Sequence, residues 1–163
     1  MRHPVQLLKW DHARFNTLLN YLQGLTVDPE TACDADELLE LYALLKPGIR
    51  GRHHAQERAI WRQMLERGIL PASRLRQLER IQSRLAEEDQ RLESRIRAAI
   101  RGAVLSGAEL GVWAQPFINR FRELIEFEEQ QIFPLLERPS PRHHARSTSC
   151  HGIDLNYRVR PQE

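Results

Sequence analysis

In four stretches of this sequence apolar residues recur at spacings of three and four, and in each stretch an ionisable residue takes a place where the spacing calls for an apolar one. Spacing of that kind lines up one face of an α-helix. The first stretch follows Pro4, a good first-turn residue, and runs Val5, Leu8, His12, Phe15, Leu19, Leu22 before stopping near Gly24. The second carries Leu38, Tyr42, Leu45 and Ile49 into Ile60 and Met64, with His53 and Glu57 between them. The third reads Leu78, Ile81, Leu85, Asp89, Leu92, Ile96, Ile100, and the fourth reads Trp113, Phe117, Phe121, Leu124, Glu128, Ile132, Leu135.

Local signals bound these helices. After a loop containing Asp28-Pro29, either Asp34 or Asp36 can cap a helix from about Asp36 to Arg67, which Gly68 ends. Pro47-Gly48 falls inside it and predicts a kink or break just before the His53/Glu57 turn. The third helix begins near Pro71-Ala72-Ser73. Ser106-Gly107 precedes the fourth, where Pro116 predicts a second kink. From Arg138 the chain turns to Pro, Ser, Arg and His without periodicity, the pattern of a disordered tail over residues 138–163. Four amphipathic helices with short connections predict an all-α, up-down-up-down four-helix bundle over residues 1–137.

The inward ionisable residues need compensation. An unpaired buried carboxylate costs several kcal/mol, so it requires a proton, a cation from the protein or a metal ion. His53 and Glu57 lie one turn apart on one side of their helix, a common metal-ligand geometry in bundles. His12 alone reads as a core histidine bonded to a backbone group. Counting a rise of 1.5 Å per residue from the bundle end that holds the start of helix one puts His12 roughly 12 Å in, Glu57 about 15 Å and Glu128 about 14 Å. His53 falls at about 21 Å and Asp89 at about 25 Å. Independent accidents need not share a layer, and these nearly do. Their joint placement points to a metal site.

Composition excludes several alternatives. The 24 basic and 22 acidic residues are interleaved, leaving a net charge of +2 and no basic patch for nucleic acid. No apolar run approaches the ~20 residues of a membrane span, and the N-terminus has no signal-peptide core. Cys33 and Cys150 make neither a disulfide framework nor a zinc spacing, which suits a reducing cytoplasm. His54 points about 100° from His53 and belongs to the surface or to the surroundings of a site. Glu129 is similarly off the seam. His143, His144, Cys150 and His151 match no defined metal spacing. No nucleophile–base pair or glycine-rich phosphate loop is visible.

Three segments resemble the hemerythrin-like family, the HHE cation-binding domain: Trp-Asp-His12-Ala-Arg-Phe, Arg-His53-His54-Ala-Gln-Glu57 and Glu128-Glu129-Gln-Gln-Ile-Phe-Pro134. The resemblance covers about residues 4 to 137. It implies a bundle around a non-haem di-iron centre, with His12, His53, Glu57 and Glu128 as ligands and the two glutamates as its bridging pair. Two departures stand out. Where the family has a histidine in helix three, this chain has Asp89 within Glu88-Asp89-Gln-Arg-Leu92; where it has one a turn before Glu128, this chain has Leu124. Asp89 can bind iron through oxygen and Leu124 cannot bind at all. The remaining set of two histidines and three carboxylates is harder, favours ferric iron or manganese, and holds one or two ions. The expected function is a module that senses or handles iron, oxygen or nitric oxide, with an unidentified protein partner. The alternatives are a metal-free scaffold and a carboxylate-rich di-metal oxidase, and the sequence does not decide whether the chain is an enzyme.

Overall fold

The computed structural model describes residues 4–28, 33–102 and 105–137. The expected tail, with its histidines and Cys150, lies outside the described residues. Within them the chain forms helix α1 (Pro4–Gly24), α2 (Ala35–Arg50), α3 (Arg52–Glu66), α4 (Ala72–Ile100), α5 (Gly107–Phe127), a π-helical turn (Glu128–Ile132) and α6 (Phe133–Glu137). These make four rods: α1, the α2–α3 pair, α4, and α5 continued through the π-turn into α6. Each rod packs on its neighbours, α1 on α2 and α5, and α4 on α2 and α5, which closes the bundle.

The helix ends follow local chemistry. Asp34 caps α2 by accepting from the Asp36 and Glu37 N–H groups at 2.8 and 3.2 Å. Ser106 and Glu109 form a reciprocal capping box at the start of α5. Gly68, at φ +68°, ends the second rod in the left-handed region that favours glycine. The core is the set of expected seams: Val5, Leu8, Phe15, Leu19 and Leu22 from α1 meet Leu38, Leu45, Met64, Leu78, Leu85, Phe117 and Phe121, all buried. Of the other seam residues, Ile60, Trp113 and Leu135 are partly buried, and Ile100, the last residue of α4, is 44% exposed. No helix among the described residues is long and apolar enough to cross a membrane.

The expected break just before the His53/Glu57 turn is present, one turn after Pro47, whereas the helix is uninterrupted at Pro116. The second rod passes through Pro47 and breaks at Gly51, whose ψ of −154° is extended. Gly51 folds back on the proline: its N–H donates to the Pro47 carbonyl at 3.2 Å, and a Cβ on it would lie 2.6 Å from Pro47 Cα. The fourth rod runs through Pro116 without interruption and widens instead at Glu128–Ile132. There the Phe133 N–H reaches the Glu128 carbonyl, one residue further than in an α-helix. Pro134 follows and offers no N–H to the preceding turn. On α4, Arg74 donates to the Gln131 carbonyl at 2.5 Å and supplies a donor to the widened turn. These interruptions lie beside His53 and at Glu128.

Gly48 sets how closely the second rod approaches. A Cβ there would meet Phe121 Cζ at 2.7 Å and the Phe15 ring at 2.8 Å. Neither ring can yield easily, because each packs on the other at 5.4 Å between centroids and Phe15 also stands edge-on to His53 at 5.2 Å. Gly48→Ala is expected to cost about 1–3 kcal/mol by overpacking, read as a shifted denaturation midpoint in urea. A midpoint within error of wild type would show that the rods can separate freely.

Candidate metal centre

Five histidine and carboxylate side chains are buried among the described residues: His12, His53, Glu57, Asp89 and Glu128, each at 6% exposure or less. All five are residues that the apolar seams single out. The structure brings four of them together and holds the fifth differently.

His12 comes from the middle of α1, while His53 sits in the first turn of α3, just past the Gly51 break, with Glu57 one turn beyond. One ligand atom each from His12, His53 and Glu57 lies within 4.8 Å of the others, a group compact enough to hold a metal ion. His53 Nε2 is 3.0 Å from Glu57 Oε1, and His12 Nε2 is 3.5 Å from that same oxygen. Glu128, opening the π-turn, places Oε2 3.4 Å from His12 Nε2. Glu128 Oε1 has no hydrogen-bond partner among the described residues, and neither does Glu57 Oε1, despite its closeness to the rings.

The far side of each ring explains this. His12 Nδ1 lies 3.0 Å from Glu129 Oε1, and His53 Nδ1 lies 3.0 Å from Asp11 Oδ2. Both nitrogens of each ring thus face carboxylates, and a neutral imidazole has one proton for the two; with it on Nδ1, Nε2 presents a lone pair. In that form His53 Nε2 faces Glu57, and His12 Nε2 faces Glu57 and Glu128, acceptor against acceptor. Such a group holds together only if protons or a cation enter it. Acids on Nδ1 with Nε2 turned inward is also how metal-binding histidines are usually oriented. Asp11 and Glu129, 37% and 39% exposed, were not singled out by the periodic pattern. Each is the sequence neighbour of a seam residue, and that adjacency was the available signal.

Aromatic rings close the group off. His12 stacks on Phe133 with 5.3 Å between centroids, and Trp61 lies tilted against Phe133 at 6.0 Å. Phe15 covers His53. His54 faces α4, where its Nδ1 is 3.5 Å from Gln82 Nε2, and burial lowers its pKa. Leu124 is buried in the apolar core. Asp89 accepts from the Tyr42 hydroxyl at 2.6 Å and is in ionic contact with Arg50. It is not part of the His12–His53–Glu57 group.

An all-α bundle with buried imidazoles and carboxylates converging between its rods defines a cation-binding helical domain. The hemerythrin HHE cation binding domain matches residues 3–136, and the chain belongs to that family. Neither the curated proteins nor the solved structures contain a significant match to it.

Without metal, protons must do the compensating. Burial alone would lower the His12 pKa, but Glu128 and then Glu57 outweigh it and push it up to about 10. Burial would raise Glu57, yet His12 and His53 hold it down at about 2. Burial, and next the charge on Glu57, lift Glu128 well above the usual carboxylate range. His12 therefore contributes stability that is complete below about pH 6.5 and is lost as pH rises toward about 10. Glu128, with a raised folded pKa, acts in the same direction. Glu57 acts oppositely: its contribution is present above pH 4.5 and lost as pH falls toward about 2. The metal-free protein is thus expected to lose stability in urea as pH climbs from 6.5 to 10, and Glu128→Gln should flatten that slope. A metal-free midpoint that rises with pH across this range would contradict the assignment.

Proposed function

We propose that this chain is a metal-binding module that takes up non-haem iron and uses it to sense or handle iron itself, oxygen or nitric oxide. The family gives the coarse activity, cation binding. The observation that carries the finer reading is the convergence of two inward Nε2 atoms and two carboxylates in a buried interior, with both Nδ1 positions against Asp11 and Glu129. His12 and His53 would supply nitrogen, and Glu57 and Glu128 oxygen. That is a mixed set which suits iron and, in its hardness, manganese.

Iron held there would supply redox activity and an exchangeable coordination position for a small diatomic ligand. The chain's own residues do the rest. Asp11 and Glu129 fix the ring orientations and raise the basicity of each Nε2. Phe15, Phe133 and Trp61 exclude bulk water, which strengthens every electrostatic contact inside. No residue among these is placed as a nucleophile, so a binding role accounts for the site more simply than hydrolysis or group transfer.

A metal-free scaffold is the second reading, and one observation favours it. A protonated His12 lying between Glu57 and Glu128 compensates both carboxylates in part, so the fold has a way to stand without an ion. Metal analysis separates the two. Protein purified from iron-supplemented cells, or reconstituted anaerobically with ferrous iron, is expected to carry about one ion per chain, and Asp11→Asn and Glu129→Gln should each weaken binding ~10–100-fold with helicity retained. Iron below ~0.1 per chain after reconstitution would leave the scaffold reading standing.

A further inference from the structure

We infer that this bundle is built for one metal ion rather than two, because Arg50 supplies the positive charge that Asp89 would otherwise draw from a second ion. The inference rests on the metal-binding reading above and adds the nuclearity of the site. Asp89 is fully buried on α4, at 0% exposure. It is the inward carboxylate from the one rod that gives nothing to the convergence of His12, His53, Glu57 and Glu128. Its needs are met within the chain: the Tyr42 hydroxyl donates to Oδ1 at 2.6 Å, and the Arg50 guanidinium lies against Oδ2. Arg50 is the last residue of α2, immediately before the Gly51 break, so the interruption that opens α3 at His53 also ends α2 on this cation.

The charges around the two acidic regions differ in sign. Arg50 also approaches Glu93 at 3.9 Å, and Glu93 is shared with Lys46 at 3.3 Å and Arg97 at 2.7 Å. Two carboxylates, Asp89 and Glu93, are therefore linked to three cations, Lys46, Arg50 and Arg97. A divalent ion arriving there meets an excess of positive charge, with the Tyr42 hydroxyl already on Asp89 Oδ1 and the Arg50 guanidinium against Oδ2. Around the histidines the balance reverses. Asp11, Glu57, Glu128 and Glu129 are four carboxylates against two imidazoles, with no Lys or Arg paired to Glu57 or Glu128 among the described residues. A cation is drawn to one region and turned away from the other. Leu124 agrees with this division, since an apolar side chain fills the place one turn before Glu128 where a second ion would want a donor.

The test is a manganese titration of the full-length, metal-free protein, followed by bound-metal analysis and electron paramagnetic resonance. Saturation at one Mn(II) per chain, with the six-line spectrum of an isolated ion, is the expected result. Asp89→Asn should leave that stoichiometry and the affinity within about twofold of wild type, whereas Glu57→Gln should weaken binding at least tenfold. Two Mn(II) per chain with an exchange-coupled spectrum would overturn the inference while leaving the metal-binding reading intact. So would a tenfold or greater loss of affinity in a folded Asp89→Asn protein. Binding of no manganese and no iron would remove the metal-binding reading, and this inference with it. The wild-type stoichiometry decides the matter even if the Asp89 variant does not fold.

Discussion

A carboxylate removed from water must be given back an equivalent of its hydration, and three are buried among the described residues, Glu57, Asp89 and Glu128. The rest of the structure is arranged around how each is compensated. Asp89 receives a cation and a hydroxyl from α2, its neighbour in the bundle. Glu57 and Glu128 receive two imidazoles, which are insufficient unless protons or an ion join them. The first arrangement is self-contained and the second is open to a ligand. A difference in side-chain partners thus separates a structural ion pair from a candidate binding centre inside one apolar core.

The backbone departs from regular helix where this centre needs it. At Gly51 the second rod restarts, so that His53 and Glu57 occupy the first turns of a fresh helix. At Glu128 the fourth rod widens by one residue, and from that turn Glu128 reaches inward while Glu129 reaches the outer nitrogen of His12. π-turns carry a cost in hydrogen-bond geometry and cluster at functional positions. Arg74 and Pro134 make this one intelligible, the proline by withholding an N–H and the arginine by bonding a carbonyl. Gly48 adds the close approach that sets Phe15 against His53.

The four rods and their seams were readable because period and burial are nearly the same information in a bundle; every seam residue of α1 from Val5 to Leu22 is buried. The five ionisable intruders were readable for the same reason. What the period could not show was pairing. Asp89 looked like one more inward acid, and only the packing of α2 on α4 reveals that Tyr42 and Arg50 have claimed it. Asp11 and Glu129 were hidden because each stands about 100° from its neighbour on a helical wheel, yet a short reach around an imidazole ring closes that gap. The break before His53 was legible but the residue at which it falls was not, because a proline weakens a helix without dictating where it yields. Pro47 is accommodated until Gly51, and Pro116 is accommodated altogether.

The claim that the His12–His53–Glu57–Glu128 convergence is a metal centre is tested most directly by anomalous X-ray diffraction from crystals of the iron-loaded protein. The account predicts a single anomalous peak within bonding distance of His12 Nε2, His53 Nε2 and a Glu57 oxygen, with Asp11 and Glu129 still on the outer ring nitrogens and Arg50 still on Asp89. A peak elsewhere on the chain, or no peak while His12 remains wedged between Glu57 and Glu128, would contradict it.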